Sequence, residues 1–166
     1  MLISICISAQ DIAGSESALL NKILDGYDKR FPPPGNKAVI VTVSMFIIRF
    51  ERVSTKDMEF TVQMTYRQIW NDSRLSFRND SGLDYIILKE PFVIWNPDIY
   101  FTHSVASKTH NYFAKIFPNG EVYQSERITV TFFCPLDLQY YPFDSQICPI
   151  RISSCKSKSM QSFRFN

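Results

Sequence analysis

Glycine is scarce in this 166-residue chain. The five that occur, Gly14, Gly26, Gly35, Gly82 and Gly120, stand apart from one another. Neither a phosphate-cradling Walker loop nor a dinucleotide-binding glycine fingerprint can be drawn from them. Long hydrophobic runs are lacking as well. The longest uncharged apolar stretch, Ala38–Ile48, covers 11 residues, where a bilayer span needs roughly 20, so no transmembrane helix is predicted. Charge of one sign is missing too: 18 Lys and Arg against 16 Asp and Glu leave a net charge of +2, which argues against a nucleic-acid partner. Histidine occurs only at His103 and His110. They are distant in sequence from the cysteines and read as surface-loop residues rather than as a zinc site. No metal and no cofactor is expected.

What is present points to β-structure. Hydrophobic residues make up 45% and charged ones 20%, a balance that excludes disorder and suits one globular domain. Aromatics reach 14%, with 14 Phe and 8 Tyr, and such side chains fit a pleated, half-buried surface. Residues 1–14 open with a short apolar run (Leu2, Ile3, Ile5, Cys6, Ile7) that reads as the remnant of a signal peptide. From Ser15 to Asp28, Leu19, Leu20, Ile23, Leu24 and Tyr27 recur at helical spacing with Ser15 as N-cap, and Gly26 and Pro32–Pro34 stop the helix.

Lys37–Phe50 reads as a strand buried on much of both faces. Met58–Trp70 alternates cleanly, with Phe60, Val62, Met64 and Tyr66 on the core face. Ile86–Leu88, Phe92–Trp95 and Tyr112–Phe117 are short strand candidates. Pro118-Asn119-Gly120 then supplies a hairpin turn into the strand Glu121–Phe133, where Tyr123, Ser125, Arg127 and Thr129 share the polar face. Residues 156–166 show no period and read as a divergent, disordered tail.

Cys134 and Cys148 bracket thirteen residues. By themselves they could be unrelated thiols, a metal pair or a disulfide, and Asp137 and Asp144 between them could pass for an acid pair. The intervening Tyr141-Pro142-Phe143-Asp144 narrows the choice, because Cys, thirteen residues and Cys around an aromatic-Pro-Phe-Asp core resembles the signature of the Cys-loop, pentameric ligand-gated ion-channel family. Ile94-Trp95-Asn96-Pro97-Asp98 is similar to the Trp-x-Pro-Asp segment of that family. Met58–Gln63 with Arg67–Asp72 and Arg74-Leu75 resembles the second strand of its anion-selective branch, above all the glutamate-gated chloride channels. The likeness runs from Leu19 to Cys155.

The resemblance implies an all-β fold: an immunoglobulin-like twisted β-sandwich of about ten strands with one N-terminal α-helix, its C-terminal strands missing here, so that residues 15–155 form a partial ligand-binding domain. It also implies a Cys134–Cys148 disulfide, worth about 3 kcal/mol for such a loop. Tyr141, Pro142 and Phe143 would form a gating tip, with Asp144 in a structural role. The implied partners are an amino-acid neurotransmitter, glutamate first and GABA or glycine next, and other receptor subunits in a homo- or hetero-pentamer. Binding is implied, not catalysis. Membrane contact would come only through missing C-terminal segments. The setting implied is the extracellular side of the plasma membrane, or secretion if the chain is the full product, in which case it would act as a soluble decoy or assembly modulator or be inert.

Arg67, Thr65 and Ser125 match complementary-face ligand positions, and a guanidinium beside a hydroxyl suits a carboxylate. Ser154 matches a principal-face serine. Asn71 and Asn79 head glycosylation sequons. Two departures stand out. By register Ile48 occupies the place of a second carboxylate-binding arginine, and Arg49 follows one residue later, on the opposite face unless a bulge intervenes. Cys155 stands where an aromatic would stack on an ammonium group.

Overall fold

The computed structural model describes residues 9–35, 38–78, 83–90, 93–141, 143–154 and 163–165. Helix α1 (Ala9–Leu24) comes first. It starts six residues before the expected Ser15 cap and runs into the stretch read as a signal remnant, since Ala and Gln ahead of Ser15 are good helix formers that extend a nucleated helix at little cost. Residues 1–8 of that stretch lie outside the described residues. The helix ends as expected: Gly26 adopts φ +72°, and the Tyr27 N–H closes the last turn on the Leu24 carbonyl at 3.1 Å.

Eight strands follow among the described residues: β1 (Val41–Ser54), β2 (Glu59–Asn71), β3 (Ile86–Leu88), β4 (Ile99–Thr102), β5 (Ser104–Ile116), β6 (Glu121–Phe133), β7 (Arg151–Ser154) and β8 (Phe163–Phe165). Six form one sheet in the order β3-β5-β6-β2-β1-β8, and β4 pairs with β7 in a second. Phe101 of β4 packs its ring 5.3 Å from Tyr66 of β2 and 5.6 Å from Phe132 of β6, so the small sheet lies against the face of the large one. The expected all-β architecture with one helix is what the chain adopts.

The alternation read in β2 sets its burial. Phe60, Val62, Met64 and Tyr66 are buried, and the inward row continues through Gln68 and Trp70. β6 pairs with β2 without a register break, from Glu59 opposite Phe133 to Asn71 opposite Glu121. The β5–β6 turn depends on Gly120, which adopts φ +81°. A Cβ there would stand 2.6 Å from the Asp72 carbonyl oxygen, so both conformation and space require glycine.

Four sequence readings are corrected. β1 is buried at Val41 and Val43 but exposed at Phe46, Ile47, Ile48, Phe50 and Val53, because the small sheet is only two four-residue strands and does not reach this half. Val93–Trp95 is not a strand, and Phe92 lies outside the described residues; the Trp95 backbone N–H turns to the Tyr27 hydroxyl at 3.1 Å instead of a ladder partner. β5 begins eight residues before Tyr112. The tail is not wholly irregular, since Phe163–Phe165 pairs in parallel with Val41–Val43; three residues are too few for a period to be legible.

Candidate functional site

One polar face and one loop are built on this frame. The first is the outward face of the large sheet. Arg67 and Ser125 are direct cross-strand partners, as are Thr65 and Arg127, and directly opposed residues share a face. The pattern that alternated in each strand separately is thereby merged into one surface. Arg67 is exposed, whereas Ser125 is buried at 7% exposure beneath its neighbours. The ion pairs among the described residues engage Arg30, Arg49, Arg52 and Arg74, and Arg67 takes part in none of them.

β1 resolves the position left open by the sequence. Ile47 pairs with Met64 and Arg49 with Gln63, which leaves Ile48 as the extra residue of a β-bulge. The bulge returns Arg49 to the face of Gln63, Thr65 and Arg67. Arg67 lies four residues along β2 from Gln63, the partner of Arg49, about 13 Å at the rise of a strand, with Thr65 midway and opposite Phe46. Two extended guanidiniums can converge across that span. The Arg49 Nη2 now reaches the Glu51 Oε1 at 2.9 Å in an exposed pair, a contact that water screens and that a competing carboxylate can replace. Arg127 adds a third exposed guanidinium to the face. Its role was not drawn from the sequence, although its alternation with Ser125 placed it there.

Ser154 is not part of this face. It ends β7, opposite Ile99 in the small sheet, and its hydroxyl is buried without a hydrogen bond. Within one chain the structure therefore brings Arg67, Thr65, Ser125 and Arg49 together and sets Ser154 apart. Asn71 is exposed at the end of β2, where its Nδ2 donates to the Asn119 carbonyl at 3.3 Å. Asn79 lies outside the described residues, as do Pro142 and Cys155.

The second feature is the loop closed by Cys134 and Cys148, which are disulfide-bonded with Cα atoms 5.6 Å apart. Gln146, which the sequence reading passed over, braces the loop from within. Its Nε2 donates to the Asp137 carbonyl and to the Asp144 carboxylate, and its Oε1 accepts from the Asp137 N–H at 3.1 Å. Asp144 is thus half-buried and engaged, while Tyr141 and Phe143 are exposed, Phe143 at 94%. Between the loop and the uncovered half of β1 lies a cavity of about 440 Å³ lined by Ile47, Phe50, Val53, Phe60, Leu136 and Ile150 among others. His103 sits at a positive φ of 63° in the β4–β5 turn, and His110 Nε2 lies 2.9 Å from the Thr129 hydroxyl. Among the described residues no cluster of three His, Cys, Asp or Glu side chains could hold a metal.

This architecture has relatives. Residues 16–161 match the family described as neurotransmitter-gated ion-channel ligand binding domain. The chain belongs to that family. It is 37% identical over 151 residues to a glutamate-gated chloride channel of Drosophila melanogaster, an alignment covering 84% of this chain and 33% of the relative. It is also 36% identical over 132 residues to the gamma-aminobutyric acid receptor subunit rho-2 of Rattus norvegicus, covering 74% of this chain and 28% of the relative. The chain therefore spans about a third of the length of the curated relatives it matches. Those relatives are ligand-gated channels and receptor subunits, not enzymes, and no helix among the described residues is long and apolar enough to cross a membrane.

Proposed function

We propose that the outward face of β1, β2 and β6 is the complementary half of an amino-acid transmitter site in a ligand-gated anion channel, with glutamate the favoured transmitter. The observation that carries this reading is the bulge at Ile48. It sets Arg49 beside Thr65 and Arg67 on one face, with Ser125 opposite Arg67. A dicarboxylate amino acid has two anionic groups, and two guanidinium forks at this spacing suit both. Ser154 in the other sheet serves the principal half, so a complete site forms between neighbouring subunits of a pentamer. Binding there biases a two-state assembly. The braced disulfide loop, with Tyr141, Pro142 and Phe143 at its tip, passes the bias toward the pore. The exposed Asn71 and the disulfide fit an extracellular setting.

Equilibrium binding of labelled glutamate, GABA and glycine to the chain tests this. Loss of a charge-assisted hydrogen bond costs about 1.5–3 kcal/mol, roughly 10- to 100-fold in affinity. Arg67→Ala is expected to weaken all three transmitters by that factor, because each has at least one carboxylate. Arg49→Ala is expected to weaken glutamate selectively. Equal losses for glutamate and glycine at Arg49 would remove the glutamate assignment, and unchanged binding at Arg67→Ala would remove the site.

A further inference from the structure

The inward row of β6 is apolar at Val122, Ile128, Val130 and Phe132 but is interrupted by Gln124 and Glu126. Their cross-strand partners on β2 are Gln68 and Tyr66, and on the other side Glu126 faces Tyr112 of β5. The interior of the sandwich therefore carries a polar patch where its neighbours in sequence would predict hydrocarbon. Beside it lies a cavity of about 290 Å³ lined by Tyr66, Gln68, Asn96, Gln124 and Glu126, with the hydroxyls of Ser107 and Thr109 among the remaining lining groups.

The chemistry of this cavity is one-sided. Gln124 turns its Nε2 to the Glu126 Oε1 at 2.5 Å, which leaves its own Oε1 as an acceptor. That oxygen, the Gln68 Oε1, the Asn96 Oδ1 and the Tyr66 hydroxyl are all buried without a hydrogen bond in the protein. Gln68, Gln124 and Tyr66 are each at most 5% exposed, and a buried polar atom with no partner is costly to leave unpaired. Among the described residues no Lys, Arg or His lines the cavity, so no cationic side chain on its wall offsets the Glu126 carboxylate. Burial pushes that carboxyl above its usual range, more than the Gln124 hydrogen bond lowers it. One carboxylate, three amide carbonyl oxygens and hydroxyls form a donor set of oxygen alone, the set that hard cations take. The volume leaves room for several waters at about 30 Å³ each.

We propose that this cavity is a binding site for a hard, oxygen-ligated cation of the calcium or sodium class, held with part of its water shell by Glu126, Gln124, Gln68 and Asn96. It lies inside one chain, on the opposite side of the large sheet from Arg67, and so is separate from the transmitter face. A single carboxylate gives weak affinity, of the order of 10⁻³ M as in extracellular calcium modules. About 10 mM cation would then shift the folding equilibrium roughly tenfold.

The test measures urea unfolding midpoints of the chain in chloride salts of calcium, magnesium, sodium and N-methylglucammonium at one ionic strength. A second readout is terbium luminescence excited through tyrosine, since Tyr66 and Tyr112 flank Glu126. The expected result is a midpoint raised by calcium or sodium over N-methylglucammonium, with the responding salt identifying the ion, and terbium emission that the same ion quenches by displacement. Glu126→Gln should abolish both responses. If that variant does not fold, Gln68→Leu, which keeps the carboxylate, should weaken them. Identical midpoints in all salts overturn the proposal, and so do responses that persist undiminished in Glu126→Gln and Gln68→Leu.

Discussion

Two buried polar clusters border the same β-sheet and are solved in opposite ways. At the exit of α1, the fully buried Asp72 carboxylate is saturated. Arg74 reaches it through Nε at 2.9 Å and Nη2 at 2.7 Å, and the Tyr27 hydroxyl donates at 2.8 Å. Arg74 in turn lies 4.4 Å over the Tyr27 ring and donates to the Asp28 and Phe31 carbonyls. The Asp72 backbone closes on Gly120, its N–H donating to the Gly120 carbonyl at 2.9 Å. Helix exit, β2 and the β5–β6 hairpin are locked by one set of bonds. In the cavity around Glu126 the partners are present as atoms but not as pairs. A network satisfied throughout holds elements together, whereas one left open costs stability unless a ligand completes it. The first cluster is a clasp and the second a receptacle.

Breaking the clasp should produce the largest effect. Arg74→Ala strips the buried carboxylate of its charged partner and leaves only the Tyr27 hydroxyl and the backbone N–H of residue 74 as donors, which costs about 3–5 kcal/mol, read as a lowered urea midpoint. A change near 1 kcal/mol would mean that Asp72 is reached by water and is no clasp. Gly120→Ala comes next. It forces a positive φ on a Cβ residue, about 1–3 kcal/mol, and drives that Cβ against the Asp72 carbonyl. Its loss should be coupled to that of Arg74→Ala, so that the double variant falls short of the sum. Strict additivity would separate the hairpin from the clasp.

Much of this could be read before the fold was seen, and the boundary follows a physical line. Strand period placed β2, β6 and the Gly120 turn, because burial on one side of a pleat imprints a period of two. The cysteine spacing and its aromatic core pointed to the closed loop. The face of Arg49 stays open in the sequence because a bulge changes the face of a residue without marking it; Ile48 is as apolar as Ile47 before it. The exposed half of β1 was misread for the reverse reason, since an apolar run records that a surface wants covering and not how far the opposite sheet extends. Ser125 and Arg67 were each legible alone, yet their pairing needed the β2–β6 register. The Glu126 patch depends on Asn96 arriving from a loop between strands, which no strand period marks.

The receptacle yields the smallest effect and the sharpest sign. Glu126 faces the hydroxyls of Tyr66 and Tyr112, which stay neutral across the acid range because burial raises both, Tyr112 to about 12. Burial also lifts the Glu126 carboxyl above its ordinary value. In the interval between that ordinary value, about 4.3, and the raised one, the folded chain keeps a proton that the unfolded chain has released. Stability must then fall as pH rises through the interval and stay lowered above it. Glu126→Gln carries no such proton. In chelator, its unfolding midpoint relative to the native chain should rise with pH through this interval. Saturating calcium should lower the native carboxyl and erase the difference, while parallel pH profiles for the two chains would show that Glu126 is solvated and that the cluster is no receptacle.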